Sequence, residues 1–187
     1  MKRIAVLMTC YNRVDTTLEC LRRLFSQELP EGHSFDVWLV DDASPDKTGE
    51  KVKAAYPQVN VVQGTGNLFW CKGMRLAWDK AAEAHDYDFY LWLNDDTMLL
   101  DDAIKGIVQD CVLCGGAIIT GAVAELDSDK VCYGGADENG TITPAGQPRR
   151  VRRKLNGNVL LVPKAAYEKI GKIDGRYSHG VGDNDYG

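Results

Sequence analysis

No hydrophobic run in this 187-residue chain is long enough to cross a bilayer. The apolar stretch at its start, Ile4 to Met8, is also shorter than the roughly 7–15 residues of a secretory signal core. Together these absences predict a cytoplasmic protein, with at most peripheral contact at the inner face of a membrane. A surplus of positive charge is missing too: the net charge is −5, which argues against a general nucleic-acid binder. There is no Walker lysine loop and no Gly-x-Ser-x-Gly elbow. Cys111 and Cys114 have the spacing of two zinc ligands, but no second close pair follows. A chain this long and core-rich does not need disulfide staples. The six cysteines (Cys10, Cys20, Cys71, Cys111, Cys114 and Cys132) read as small buried thiols in a reducing compartment. Repeats, linkers and low-complexity tracts are absent, so one domain over 1–187 is expected.

What is present is alternation. Ile4–Met8, Phe35–Val40, Val59–Val62 and Phe89–Leu93 are apolar runs of strand length. Between them, Val14, Leu18, Leu21, Leu24 and Phe25, then Met74, Ala77, Trp78 and Ala81, recur at helical spacing. Ser44-Pro45-Asp46 reads as a helix start, and Leu100, Ile104, Ile107 and Val108 mark a further helix. Such a chain predicts an α/β fold with a mostly parallel central sheet and helices on both faces. After Cys114 the pattern loosens. Ala117–Ala124 and Asn158–Val162 read as strands, Lys164–Ile170 as a short helix, and the stretch after Arg176 as polar and glycine-rich with no closing element.

Parallel strands deliver their carboxyl ends to one rim, where α/β proteins bind ligands. Here those ends carry Thr9 to Arg13, Asp41-Asp42 and Asn94-Asp95-Asp96. Tyr11 could stack on a base, and Asp42 could accept from a ring N–H or a ribose hydroxyl. Asp95 and Asp96 offer hard oxygens suited to ribose and to Mg²⁺ or Mn²⁺ held with substrate phosphates. The plainer reading of Asp95-Asp96 is a solvated turn that stops a strand. Gly64-Thr65-Gly66-Asn67 invites comparison with a dinucleotide fingerprint, but it follows the third strand and lacks the third glycine.

These motifs are similar to those of the family 2 glycosyltransferases, which have the GT-A fold, a Rossmann-like nucleotide-diphospho-sugar transferase architecture. The resemblance is carried by Thr-Cys-Tyr-Asn-Arg at 9–13, Val-Asp-Asp-Ala-Ser at 40–44 and Leu-Asn-Asp-Asp-Thr at 93–97. Gly66-Asn67-Leu68-Phe69-Trp70 with Gly73-Met74-Arg75-x-Ala77-Trp78 looks like the rhamnosyltransferase-like variant. Asn156-Gly157-Asn158 and Gly182-Asp183-x-Asp185-Tyr186 resemble acceptor-side motifs, with Gly182 where Glu is commoner.

The resemblance implies an inverting transfer in polysaccharide or O-antigen synthesis, and its rhamnosyltransferase-like motifs imply rhamnose as the sugar. The donor would be UDP-, dTDP- or GDP-linked, and the acceptor a saccharide or lipid-linked saccharide. Residues 1–97 would be the nucleotide-binding half and 98–187 the acceptor-side half, with further chain expected beyond it. Thr9, Tyr11, Arg13, Asp42, Asn67, Trp70 and Asp95 would bind the donor. Asp96, with Asp95 and His179, would hold the divalent metal, and Asp183 or Asp185 would be the catalytic base. Trp70, in a glycine-flanked loop, is the tryptophan best placed to stack on a sugar, although core packing is its plainer reading. His179 reads more plainly as an ordinary loop histidine, and without the resemblance Asp183 and Asp185 read as solvated terminal residues. The basic run Arg149–Lys154 is either a solvated loop or a loop that grips phosphate. Two rival readings are a non-catalytic nucleotide-sugar-binding domain or inactive fragment, and a sugar-nucleotide nucleotidyltransferase. The latter's glycine-rich amino-terminal loop has no counterpart in Thr9–Arg13.

Overall fold

β1 (Lys2–Cys10) is buried from Ile4 onward, as its unbroken apolar run requires of a strand covered on both faces. The computed structural model describes residues 1–125, 128, 130–137, 139–144, 154–178 and 181–187. After β1 come α1 (Val14–Phe25), β2 (His33–Asp41), α2 (Thr48–Ala55), β3 (Asn60–Gln63), α3 (Phe69–Ala84) and β4 (Phe89–Leu93). Next are α4 (Ala103–Leu113), β5 (Ile119–Thr120), β6 (Val123–Ala124) and β7 (Val131–Tyr133). β8 (Val159–Pro163), α5 (Lys164–Ile170) and α6 (Gly182–Tyr186) complete the order. Among the described residues, no helix is long and apolar enough to cross a membrane.

The main sheet runs β3-β2-β1-β4-β8-β5. β1 pairs in parallel with β2 and β4, and β2 in parallel with β3. β8 is antiparallel to both β4 and β5. Side chains alternate across this sheet with period two. Ile4, Val6, Met8, Leu39 and Leu91 join one core with Leu21 and Leu24 of α1 and Ile104 and Val108 of α4. Ala5, Leu7 and Trp92 join the other with Met74, Ala77 and Trp78 of α3. The expected α/β sandwich is therefore present, and both helix-spacing patterns mark buried stripes.

Four local expectations fail. The helix expected to begin at Ser44-Pro45-Asp46 begins at Thr48, because Lys47 is in the left-handed region with φ 64°. Asp46 instead accepts the Val14 and Thr48 amides through its two oxygens, tying the starts of α1 and α2 together. Leu100, taken as part of the next helix, precedes α4 and is exposed.

The expected strand over Ala117–Ala124 is split between two sheets. Gly121 donates to the Val159 carbonyl at 2.8 Å, and a β-carbon there would lie 3.2 Å from Val159 Cβ. Beyond that close approach β6 leaves to pair with β7. The polar carboxyl-terminal stretch closes as α6, whose Tyr186 ring packs against Trp78 and Trp92. Of the cysteines, Cys10, Cys20, Cys71 and Cys111 are buried and all six are free thiols.

Candidate active site

The carboxyl ends of β1, β2 and β4 meet at one rim, as parallel pairing demands. Tyr11 is exposed there, and Asn12 and Ala43 take positive φ of 53° and 61° at the tight exits from β1 and β2. Arg13 reaches from the start of α1 to the end of β4. Its Nη1 donates to Asp96 Oδ2 at 2.8 Å and to Asp95 Oδ1 at 3.4 Å.

The two carboxylates of that pair differ. Asp95 is buried, and its Oδ2 accepts from the Thr17 hydroxyl at 3.0 Å. Burial pushes its carboxyl up to about 6, against the opposing pull of Arg13. Asp96 is exposed, and its hydrogen-bond partner among the described residues is Arg13. Asp96 offers hard oxygens to solvent, but Arg13 already occupies Oδ2, so a divalent ion there would compete with the guanidinium and keep water and substrate phosphates in its shell. Among the described residues, no group of three or more His, Cys, Asp or Glu side chains is placed to hold a metal alone. An ion at Asp95-Asp96 would need further ligands from substrate or water. His179, expected as a further ligand, lies outside the described residues, as do Arg149 to Arg153 of the basic run.

Asp41 and Asp42 are buried and satisfied from the backbone. Asp41 accepts the Ser44 and Gly49 amides, each at 3.0 Å. Asp42 accepts the amides of Gly66 at 2.7 Å, Leu68 at 2.8 Å and Phe69 at 3.1 Å. The glycine-rich loop therefore wraps an internal carboxylate, which also satisfies amides at the start of α3. Gly64 is required there, since a β-carbon would stand 2.7 Å from Asp42 Oδ1. Thr9 is buried with its hydroxyl against Gly73 of α3, whereas Asn67 is exposed on the loop.

Trp70 belongs to an inward network. Its Nε1 donates to Asn94 Oδ1 at 2.7 Å, and Asn94 Nδ2 donates to Asn158 Oδ1 at 2.6 Å. The Gly157 amide then donates to Asp183 Oδ2 at 3.1 Å. Asp183, at the start of α6, is thus tied to the turn before β8 and through it to the end of β4. Asp185 is exposed on the same helix and accepts from the Tyr177 hydroxyl at 3.1 Å. It lines a separate cavity of about 490 Å³ with Arg75, Lys172 and Asp174. The structure brings Arg13, Asp95 and Asp96 into contact and links Asp183 to Trp70. It holds Thr9 and Asp42 inward.

The buried thiols are poor nucleophiles: desolvation raises Cys10 strongly and pushes Cys20 up to about 12 and Cys71 to about 11. Sequence reasoning missed Thr17 and Asp46. Thr17 meets Asp95 across the fold, and the bond from the Val14 amide to Asp46 is likewise nonlocal, so neither contact has a local signal. Asn94 and Asn158 were visible within motifs, but their mutual contact was not.

The family model described as Glycosyl transferase family 2 matches residues 5–156. A search of curated proteins finds no match. Several solved structures share the fold. The mannosyltransferase PcManGT from Pyrobaculum calidifontis, in complex with GDP-Man and Mn²⁺, has a TM-score of 0.70 at 16% identity, covering 98% of this chain and 50% of that one. S. aureus TarS 1-349 in complex with UDP has a TM-score of 0.72 at 18% identity, covering 100% of this chain and 54% of that one. The same TarS segment with UDP-GlcNAc scores 0.62 at 17% identity, covering 90% and 47%. The chain thus spans about half the length of the proteins it resembles.

Proposed function

The chain belongs to glycosyl transferase family 2 and has the GT-A fold, and from that premise we propose that it moves a sugar from a nucleoside diphosphate to an acceptor hydroxyl with inversion. The observation that carries this reading is the shared rim of β1, β2 and β4, where Arg13 spans Asp95 and Asp96 beside an exposed Tyr11.

In this reading Tyr11 stacks on the base and Arg13 turns its guanidinium to the diphosphate, for which its planar fork is suited. Asp96, with Asp95 behind it, would hold a divalent ion, which would supply stabilisation of the charge developing on the leaving diphosphate. Thr9, Asp42 and Asn67 border the nucleoside. Thr9 and Asp42 act by shaping the pocket wall and the 64–69 loop. Asp183 takes the proton of the acceptor hydroxyl as its oxygen attacks the anomeric carbon. The bond from that carbon to the diphosphate oxygen breaks, and its electron pair leaves with the diphosphate. General-base assistance of this kind is typically worth ~10²–10⁴ in rate. One base on the face opposite the leaving group implies a single displacement and no covalent sugar–enzyme intermediate.

Asp183 is favoured over Asp185 because its carboxylate is oriented by the Gly157 amide toward the network reaching β4. The residues behind the rhamnosyl-like resemblance work within the fold, Gly66 on Asp42 and Gly73 on Thr9.

The test is calorimetric titration with UDP, dTDP and GDP, each with and without Mn²⁺, on wild type and Asp96→Ala. Metal-dependent binding of one nucleotide, lost in Asp96→Ala, is expected. Folded wild-type protein that binds none of the three would overturn the donor site.

A further inference from the structure

Trp70 has three internal constraints. Its Nε1–H is spent on Asn94 Oδ1 at 2.7 Å, and its ring meets Trp92 edge-on with centroids 5.9 Å apart. A β-carbon on Gly157 would stand 2.6 Å from both Cζ2 and Cη2 of the indole. Only glycine lets the 156–158 turn approach the ring this closely. The Gly157 amide that results from this approach is the one that holds Asp183 Oδ2.

The other side of the turn is fixed as well. Asn94 grips Asn158 twice, through Nδ2 to Oδ1 at 2.6 Å and through its backbone amide to the Asn158 carbonyl at 3.0 Å. Asn94 directly precedes Asp95-Asp96. One indole therefore lies between the carboxylate pair at the donor rim and the turn that holds Asp183.

We infer that Trp70 is a positioning residue for Asp183: its ring and N–H set the Gly157 amide, which aims the carboxylate at the acceptor. The inference rests on Asp183 being the base in the proposed transfer. It gives Trp70 a role other than stacking on the sugar. A base must sit within hydrogen-bond reach of the proton it takes, and a displacement of about 1 Å can cost about 10²-fold in rate. Loss of the indole is therefore felt in turnover, whereas donor binding depends on Arg13, Tyr11 and Asp96.

The experiment compares wild type, Trp70→Phe, Gly157→Ala and Asp183→Asn. Turnover is read as UDP, dTDP or GDP released as the sugar passes to water from a panel of the corresponding nucleotide sugars with Mn²⁺, alongside nucleotide Kd and melting temperature. Trp70→Phe keeps a ring but drops the N–H and the outer ring atoms. It is expected to lower kcat by about 10–100-fold with nucleotide Kd and donor KM within about twofold of wild type. Gly157→Ala is expected to do the same from the other side. When Trp70→Phe and Gly157→Ala are also combined in one chain, the smaller ring makes room for the methyl group, so the combined loss is smaller than the product of the two.

Unchanged turnover in Trp70→Phe while Asp183→Asn is inactive would overturn the positioning role and leave the base assignment standing. Turnover retained in Asp183→Asn would overturn the base assignment itself. Nucleotide binding lost together with turnover in Trp70→Phe would return the residue to the donor platform. The Gly157 amide resonance decides the question without turnover, and Gly157→Ala stands in if Trp70→Phe does not fold. In wild type this resonance is expected to be that of an amide donating to a carboxylate, and in Trp70→Phe to move to that of a weaker hydrogen bond. An unmoved resonance would refute the inference.

Discussion

Arg13 Nη1 lies 2.8 Å from Asp96 Oδ2, so a cation of the protein's own sits on the carboxylate proposed to hold the metal. Arg13 and a divalent ion then compete for one oxygen until a diphosphate gives the guanidinium another partner. At pH 8, Arg13→Ala is expected to bind Mn²⁺ alone several-fold more tightly while binding Mn²⁺-UDP or Mn²⁺-GDP several-fold more weakly. Calorimetry reads both signs. Weaker Mn²⁺ binding in the variant would remove the competition from the account.

Gly182 packs directly against Cys71 of α3. A β-carbon at 182 would lie 2.3 Å from Cys71 Sγ, which is fully buried in α3. Gly182→Ala is expected to cost about 1–3 kcal/mol by overpacking. Cys71→Ala in the same chain removes the sulfur and should recover most of that loss. Urea denaturation of the two single variants and the double one checks it; strictly additive losses would contradict the contact.

Asp95 sets a pH dependence of stability. Its carboxyl is raised to about 6, first by burial, with Arg13 and the Thr17 hydroxyl pulling the other way. The folded chain therefore holds this proton more tightly than the unfolded one. Its contribution to stability is complete below about 3.8 and is lost as pH rises through about 6. Above that, ionised Asp95 costs up to about 3 kcal/mol. In EDTA, Asp95→Asn is expected to melt higher than wild type at pH 7–8, with the gain vanishing below pH 4. Thermal melts across that range test the sign, and a variant less stable at pH 8 would reverse it.

Much of this was legible in the chain. Apolar runs buried on both faces identify β1 and β4, because a strand covered on both sides needs no polar alternation. Helical spacing of Leu21 and Leu24, and of Met74, Ala77 and Trp78, marks the stripes that cover the sheet. Carboxylates placed directly after strands are also visible, since parallel pairing sends them to one rim whatever the loops do. Local order misled where one side chain redirected the backbone. Asp46 bridges α1 and α2 instead of starting a helix, and Gly121 ends a strand by its approach to Val159.

The sequence by itself determined the α/β alternation, the family and the stations of Tyr11, Arg13, Asp95, Asp96 and Asp183 along the chain. All of these follow from periodicity and motif order, which are local. Only the tertiary structure decided which carboxylates face outward and which are spent inside. Asp42 and Asp96 look alike as letters, yet Asp42 satisfies three loop amides while Asp96 stays exposed under Arg13. It also decided that Trp70 touches Gly157, a partner 87 positions away in the chain. Contacts of that kind depend on how β4 and β8 pair, and no local pattern of residues encodes that register.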